Sequence, residues 1–203
     1  MGAEATGLKD AEVERHLRHR AAWQEIEAYR PVDASQASVR LRFLAFLREH
    51  PNALERACVP GHLTASAFVV DGAEERALLL HHAKLGRWLQ PGGHIENDAG
   101  LGQAALREVR EETGLNDLVL HPQLIDLDIH RIPERLRKDG TLEPEHLHLD
   151  VRYLVIARAH EPLIESEESL GLGWFTQAAV QNLATDDSVR RLFERARRLR
   201  PTL

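Results

Sequence analysis

Apolar and polar positions divide the chain into a helical front and a strand-rich body. From Leu8 to Tyr29 and from Gln36 to Glu49 the pattern is charged and helical, and Val39, Leu41, Phe43, Leu44, Phe46 and Leu47 form the apolar surface of the second stretch. Pro31 and Pro51 punctuate the two helices. After Pro60 and Gly61 the pattern changes: Leu63 to Val70 and Arg76 to His81 are short apolar runs on either side of Asp71-Gly72, which predicts two strands joined as a hairpin. Gly100 to Thr113 returns to helical spacing. Leu118 to Ile132 and Leu147 to Ala159 supply longer strands, Gly173-Trp174-Phe175 a last short one, and Asp186 to Arg200 a terminal helix. Strands before and after a central helix predict an α/β fold, a mixed sheet covered by helices. The expected division is a helical N-terminal extension over 1–60 and a sheet-bearing domain over 61–203.

Composition narrows the function classes. A chain of 203 residues, 43% hydrophobic and 29% charged, can bury one ordinary core with an appended subdomain. Cys58 is the single cysteine, so no disulfide framework is available. No apolar run approaches the length of a membrane span, and the first thirty residues carry too many charges for the apolar core of a secretory signal. A cytoplasmic protein is expected, with neither membrane nor nucleic acid as partner. The net charge of −6 argues against a nucleic-acid backbone as main ligand, since that binding needs a basic footprint. A small anionic substrate would be met by bound cations and local arginines.

The densest chemistry lies in Gly93 to Leu115, GHIENDAGLGQAALREVREETGL. On a helix Glu108, Glu111 and Glu112 stand at i, i+3 and i+4, three carboxylates on one face whose repulsion a cation would relieve. The alternative is a solvated acidic helix capped by Gly114. The segment resembles the signature of the Nudix hydrolases: a glycine, five residues, a glutamate, seven residues, then Arg-Glu-apolar-x-Glu-Glu-x-Gly-apolar. Gly93 and the whole run from Arg107 to Leu115 fit in register, and the lead-in from His81 to His94 is similar to that of a sub-group of small bacterial members. One position departs, for Ala99 stands where the family has its first glutamate; Asp98 and Glu96 are neighbouring carboxylates.

The resemblance, which covers roughly Gly61 to Gln181, implies a Nudix-type α/β/α sandwich and a hydrolase of a nucleoside diphosphate linked to another group. It implies Mg²⁺ or Mn²⁺ as cofactor, hard cations that prefer oxygen ligands. Glu108 and Glu112 would be direct ligands, Glu111 a further ligand or a positioner of water, and the Gly92 carbonyl another donor. Arg107, four residues before Glu111, would pair with it or with the loop carboxylates. For the general base the family's loop before the last sheet strand offers Glu168 first and Glu167 second, with His148 or Glu111 next in line. Ala99 keeps open a binding or regulatory module without catalysis. The isopentenyl diphosphate isomerase branch needs an active-site cysteine, and Cys58 precedes the domain.

His146, His148, Asp150 and Arg152 alternate with apolar residues, so on a strand they share one face that turns apolar at Leu154 and Ile156. A polar cleft wall contacting substrate phosphate or ribose is the expectation, with His94 and Arg87 as further substrate-binding candidates. His-x-His-x-Asp is also open to a transition-metal reading, although two imidazoles on a strand lack a full ligand set. Trp88 is either a base-stacking or a buried aromatic. The N-terminal helices are expected to complete the core or to form a homodimer surface, because Phe43 and Phe46 need burial.

Overall fold

A computed structural model describes residues 2–72, 76–137, 140–158, 161–166 and 169–199, with side chains from residue 11 onward. In chain order the elements are α1 (Gly2–Ala28), α2 (Ala34–Glu49), β1 (Gly61–Asp71), β2 (Arg76–His82), β3 (Arg87–Leu89), β4 (Gly92–His94), α3 (Leu101–Thr113), β5 (Leu118–Ile132), β6 (Arg135–Leu136), β7 (Leu142–Glu143), β8 (His146–Ala157), β9 (Ser169–Thr176), α4 (Gln177–Val180) and α5 (Asp187–Leu199).

β1 is the hub of the sheet and every residue in it is buried. The order runs β3-β2-β1-β8-β5, with β4 also paired to β1 and β9 to β2. β1 and β8 are parallel over their whole length, while β2 and β4 meet β1 antiparallel, so the sheet is mixed as the element order predicts. A strand covered on both faces should read as a nearly continuous apolar run. β1 does so only from Ala67 onward, for its first half carries His62, Thr64 and Ser66 on the even face.

The two faces hold separate clusters. Odd positions Leu63, Ala65, Ala67 and Val69 join Leu149, Val151 and Tyr153 of β8 under α3, together with Ile26 of α1 and Phe43 and Leu47 of α2. Even positions Phe68 and Val70 join Leu154 of β8 and Val189, Leu192 and Phe193 of α5. Helices thus cover both faces, an α/β/α arrangement. The N-terminal helices complete the odd-face core, as the burial demand of Phe43 anticipates. Buried Gln36 of α2 fixes this docking: its amide nitrogen donates to Leu127 O (3.0 Å) and its oxygen accepts from Leu127 N (3.2 Å), beside the register shift in β5. Those bonds satisfy peptide groups on the outer side of β5, which ends the sheet and has no further strand beyond it among the described residues. Among the described residues no helix is long and apolar enough to cross a membrane.

Candidate active site

α3 forms because Leu101, Ala104, Ala105 and Val109 recur on one face and bury against the sheet, leaving Arg107, Glu108, Glu111 and Glu112 off that face. Gly114 ends it in the left-handed region (φ 75°), its N–H donating to Arg110 O. Just before the helix, Gly92 and Gly93 run as β4 against Ser66 and Ala65 of β1. Two successive glycines favour a turn on local propensity; the chain instead makes a short strand, because the absence of a side chain lets this backbone press into its neighbours. A Cβ on Gly92 would lie 2.7 Å from Ser66 Cα and 2.9 Å from Ala65 O, and a Cβ on Gly93 would lie 2.5 Å from Glu108 Oε1.

This close approach brings backbone and carboxylates together. Gly92 N donates to Glu112 Oε2 at 2.9 Å. Arg107 binds the other two: its Nη1 donates to Glu108 Oε1 (2.9 Å) and to Glu111 Oε2 (3.0 Å). Its Nη2 donates to His94 O (2.8 Å) and Asp98 Oδ2 (3.1 Å), and its Nε to Asp98 Oδ1 (3.1 Å). One guanidinium therefore joins the helix, β4 and the intervening loop, using the planar fork that lysine lacks. Like charges at this spacing would destabilise the helix by about 0.2–0.5 kcal/mol per pair, and Arg107 offsets that repulsion. Burial raises the Glu108 carboxyl above the ordinary range, against the charge and hydrogen bond of Arg107. For Asp98 burial acts upward too, but the Arg107 hydrogen bonds and the Glu96 N–H prevail and hold it below the usual value.

Asp98 thus makes the loop-to-helix tie, and Ala99, one residue on, is exposed. Glu96 contributes its backbone: its carbonyl accepts from Arg18 of α1 and its N–H donates to Asp98. A carboxylate that orients a site residue in this way is typically worth about 10-fold to 100-fold in activity or metal affinity. Asp98→Asn should therefore lower kcat by about 10-fold or more, whereas Ala99→Glu should change it by less than about 2-fold. Steady-state rates of the two variants check this; equal effects would sever Asp98 from the role.

The remaining predicted positions fall in three places. Arg87 is exposed and pairs with Asp186. Arg152 does not line an open wall: it is 3% exposed and its guanidinium is held by Asp150 (2.8 Å), Asp128 (3.2 Å) and Asp126 (3.4 Å). The expected polar cleft wall is buried there because α5 lies over it and adds Arg191 to Asp126 and Asp128. Trp88 packs edge-on to Phe175 and stacks on His81. His94, His146 and His148 are brought together, and with them His62, which local sequence does not single out; its signal is the polar alternation His62-x-Thr64-x-Ser66 at the start of an otherwise apolar strand. Glu167 and Glu168 lie outside the described residues.

A carboxylate-bearing helix clasped to a glycine pair at the edge of a mixed sheet is the class of site that the signature resemblance implies. The sequence profile of the NUDIX domain matches residues 60–196, and the chain belongs to the Nudix family. A probable DHNTP pyrophosphohydrolase of Lactococcus lactis is 33% identical over 93 residues, 46% of this chain and 52% of that protein. The chain thus spans about half the length of this curated relative. Among solved structures, a NUDIX-family hydrolase from Clostridium perfringens superposes with a TM-score of 0.52 at 27% identity, covering 68% of this chain and 98% of that one. The E. coli dihydroneopterin triphosphate pyrophosphohydrolase, at 19% identity and a TM-score of 0.51, covers 65% of this chain and 92% of its own and shares the fold.

Proposed function

We propose that the chain hydrolyses the diphosphate linkage of a nucleoside diphosphate joined to another group. The observation that carries this reading is the clasp of Glu108, Glu111 and Glu112 by Arg107 and the Gly92 N–H. It sets three hard oxygen donors against a backbone cradle that a side chain at Gly93 would fill. Glu108, Glu111 and Glu112, with the Gly92 carbonyl, would hold Mg²⁺ or Mn²⁺, whose preference is for such oxygens. When bound, that ion supplies positive charge against the diphosphate and makes a water more acidic.

The chain's own groups do the rest. Arg107 is a positioning residue, since its hydrogen bonds go to Asp98, Glu108, Glu111 and the His94 carbonyl. Gly92 N orients Glu112. As a water oxygen bonds to phosphorus, the bridging P–O bond breaks, and the water's proton passes to a carboxylate within hydrogen-bond reach. We assign that carboxylate to Glu168. Support comes from the path of the preceding segment: Ile164 N donates to Thr113 O (2.9 Å), next to Glu112, and Glu161 accepts from the Asn116 and Asp117 N–H groups. Ile164, four residues before Glu168 in the sequence, is therefore anchored at the glutamate-bearing end of α3. Glu168→Gln should lower kcat by about 100-fold with little change in KM, and Glu167→Gln should do much less. The reverse order would move the role to Glu167. The alternative, a Nudix-fold module without catalysis, rests on Ala99; the Asp98 tie to Arg107 favours the hydrolase reading.

The substrate class is the one its relatives' names suggest: a nucleotide-like compound with adjacent phosphates. The test is a panel of nucleoside triphosphate, ADP-ribose, nucleotide sugar and dinucleoside polyphosphate, assayed with and without Mg²⁺.

A further inference from the structure

Through the sheet from α3, the even face of β1, β4 and β8 carries a group of imidazoles that the carboxylate site does not use. His62 and His148 are direct partners in the parallel β1–β8 ladder, and His148 is the partner of His130 in β5. His94 enters from β4, opposite Thr64, on the other side of β1. Neighbouring strands lie about 4.8 Å apart, so this register sets three rings around one point at the end of the sheet.

His62 is the informative member. It is 2% exposed, yet neither Nδ1 nor Nε2 makes a hydrogen bond of good geometry, the Cys58 backbone offering the ring only a weak contact. A neutral imidazole has one N–H and one lone pair to satisfy, and leaving a buried polar group unmet costs about 1–3 kcal/mol. Its ring is surrounded instead by other imidazoles, with centroids 5.0 Å from His94 and 4.8 Å from His148; His94 and His148 are 5.3 Å apart. Three imidazoles on one tetrahedral ion, with metal–nitrogen bonds of about 2.0–2.1 Å, place each ring centre about 3.2 Å from the ion and about 5.2 Å from its neighbours. The rings are inclined at 38°, 56° and 85°, so they do not form a stacked pile, and their ligand nitrogens lie within 4.8 Å of one another.

We propose that His62, His94 and His148 bind one transition-metal ion of the zinc class, separate from the carboxylate site on the other face of the sheet. Three protein ligands leave a fourth position for water, the pattern of an open zinc site. Imidazole suits Zn²⁺, Co²⁺ and Ni²⁺, whereas Mg²⁺ goes to oxygen donors, so the two sites sort different metals. His146 and His130 flank the triad and are held by other partners: His146 Nδ1 by Pro144 O (2.8 Å) and His130 Nδ1 by Asp128 (3.1 Å). The ion ties β4, β1 and β8 together. Because Gly93 and His94 are consecutive, it also steadies the strand against which Glu108 rests. None of this depends on the carboxylate site being catalytic.

The test is titration of the tag-free full-length protein with Co²⁺, followed by its visible d–d absorption. With excess Mg²⁺ present to fill the carboxylate site, wild type should develop the intense bands of tetrahedral coordination to an end point of one Co²⁺ per chain, and one equivalent of Zn²⁺ should displace it. Zn²⁺ should also raise its melting temperature. His148→Ala and His94→Asn, each checked by circular dichroism, should weaken Co²⁺ binding at least about 100-fold, and Glu112→Gln should retain it. Absence of the bands in wild type overturns the site. So does their survival in both histidine variants, or their loss in Glu112→Gln.

Discussion

Glu112→Gln is expected to lower turnover by about 100-fold or more with little loss of thermal stability. The carboxylate oxygen that accepts from Gly92 N is replaced by an amide oxygen able to accept the same bond, so β4 stays tied to α3. What disappears is the negative charge, and the proposed chemistry needs that charge to hold a divalent cation against phosphate. Glu108→Gln should show a comparable loss. It additionally weakens the pairing with Arg107, which bridges Glu108 and Glu111, so a small fall in melting temperature accompanies it. Steady-state kinetics over a Mg²⁺ series, with melting curves of the same samples, separates the two effects. Unchanged rates in folded variants would remove both residues from the site.

The second large effect distinguishes the two adjacent glycines. A methyl group on Gly92 would press into Ser66 Cα and Ala65 O, backbone atoms of the central strand that have no room to withdraw. Gly92→Ala should therefore destabilise the protein by about 3 kcal/mol, at the upper end of the usual overpacking penalty. A methyl group on Gly93 meets only the Glu108 carboxylate, the far end of a side chain that can swing away. Gly93→Ala should keep most of its stability and lose activity, because the displaced carboxylate leaves Arg107 and the proposed cation. Denaturant unfolding measures the first outcome and kcat the second. Equal stability losses for both would mean that Glu108 is as rigidly held as the backbone of β1.

Much of this architecture is legible locally. The β5 bounds, the body of β1 from Leu63 to Val70 and the extent of α3 follow from periodicity and from glycine punctuation, which act over a few residues, whereas β1 begins two residues earlier than its apolar run, at Gly61. β4 is not legible in that way. Two glycines in succession signal a turn on propensity alone, and only contact with Ser66, more than twenty residues earlier, makes them a strand. The even face of β8 shows the same limit. Its alternation identifies the shared face of His146, His148, Asp150 and Arg152, but not that Arg191 of α5 would close over Asp126 and Asp128 and bury Arg152. His62 had no local mark beyond polar alternation, for its meaning comes from a parallel pairing with His148 across 86 positions of chain. At the signature itself, the spacing located the three glutamates and Arg107, while the use of Asp98 beside the missing glutamate required the geometry of the loop.

The central claim is that the glutamate face of α3 makes this chain a cation-dependent diphosphate hydrolase. Its most direct test is hydrolysis of the four-substrate panel by wild type in ¹⁸O-labelled water, with and without Mg²⁺, products read by mass spectrometry. The expected result is Mg²⁺-dependent cleavage of at least one substrate, with one labelled oxygen on a phosphate product. Folded wild-type protein that cleaves none of the four, and whose melting temperature does not respond to Mg²⁺, would contradict it.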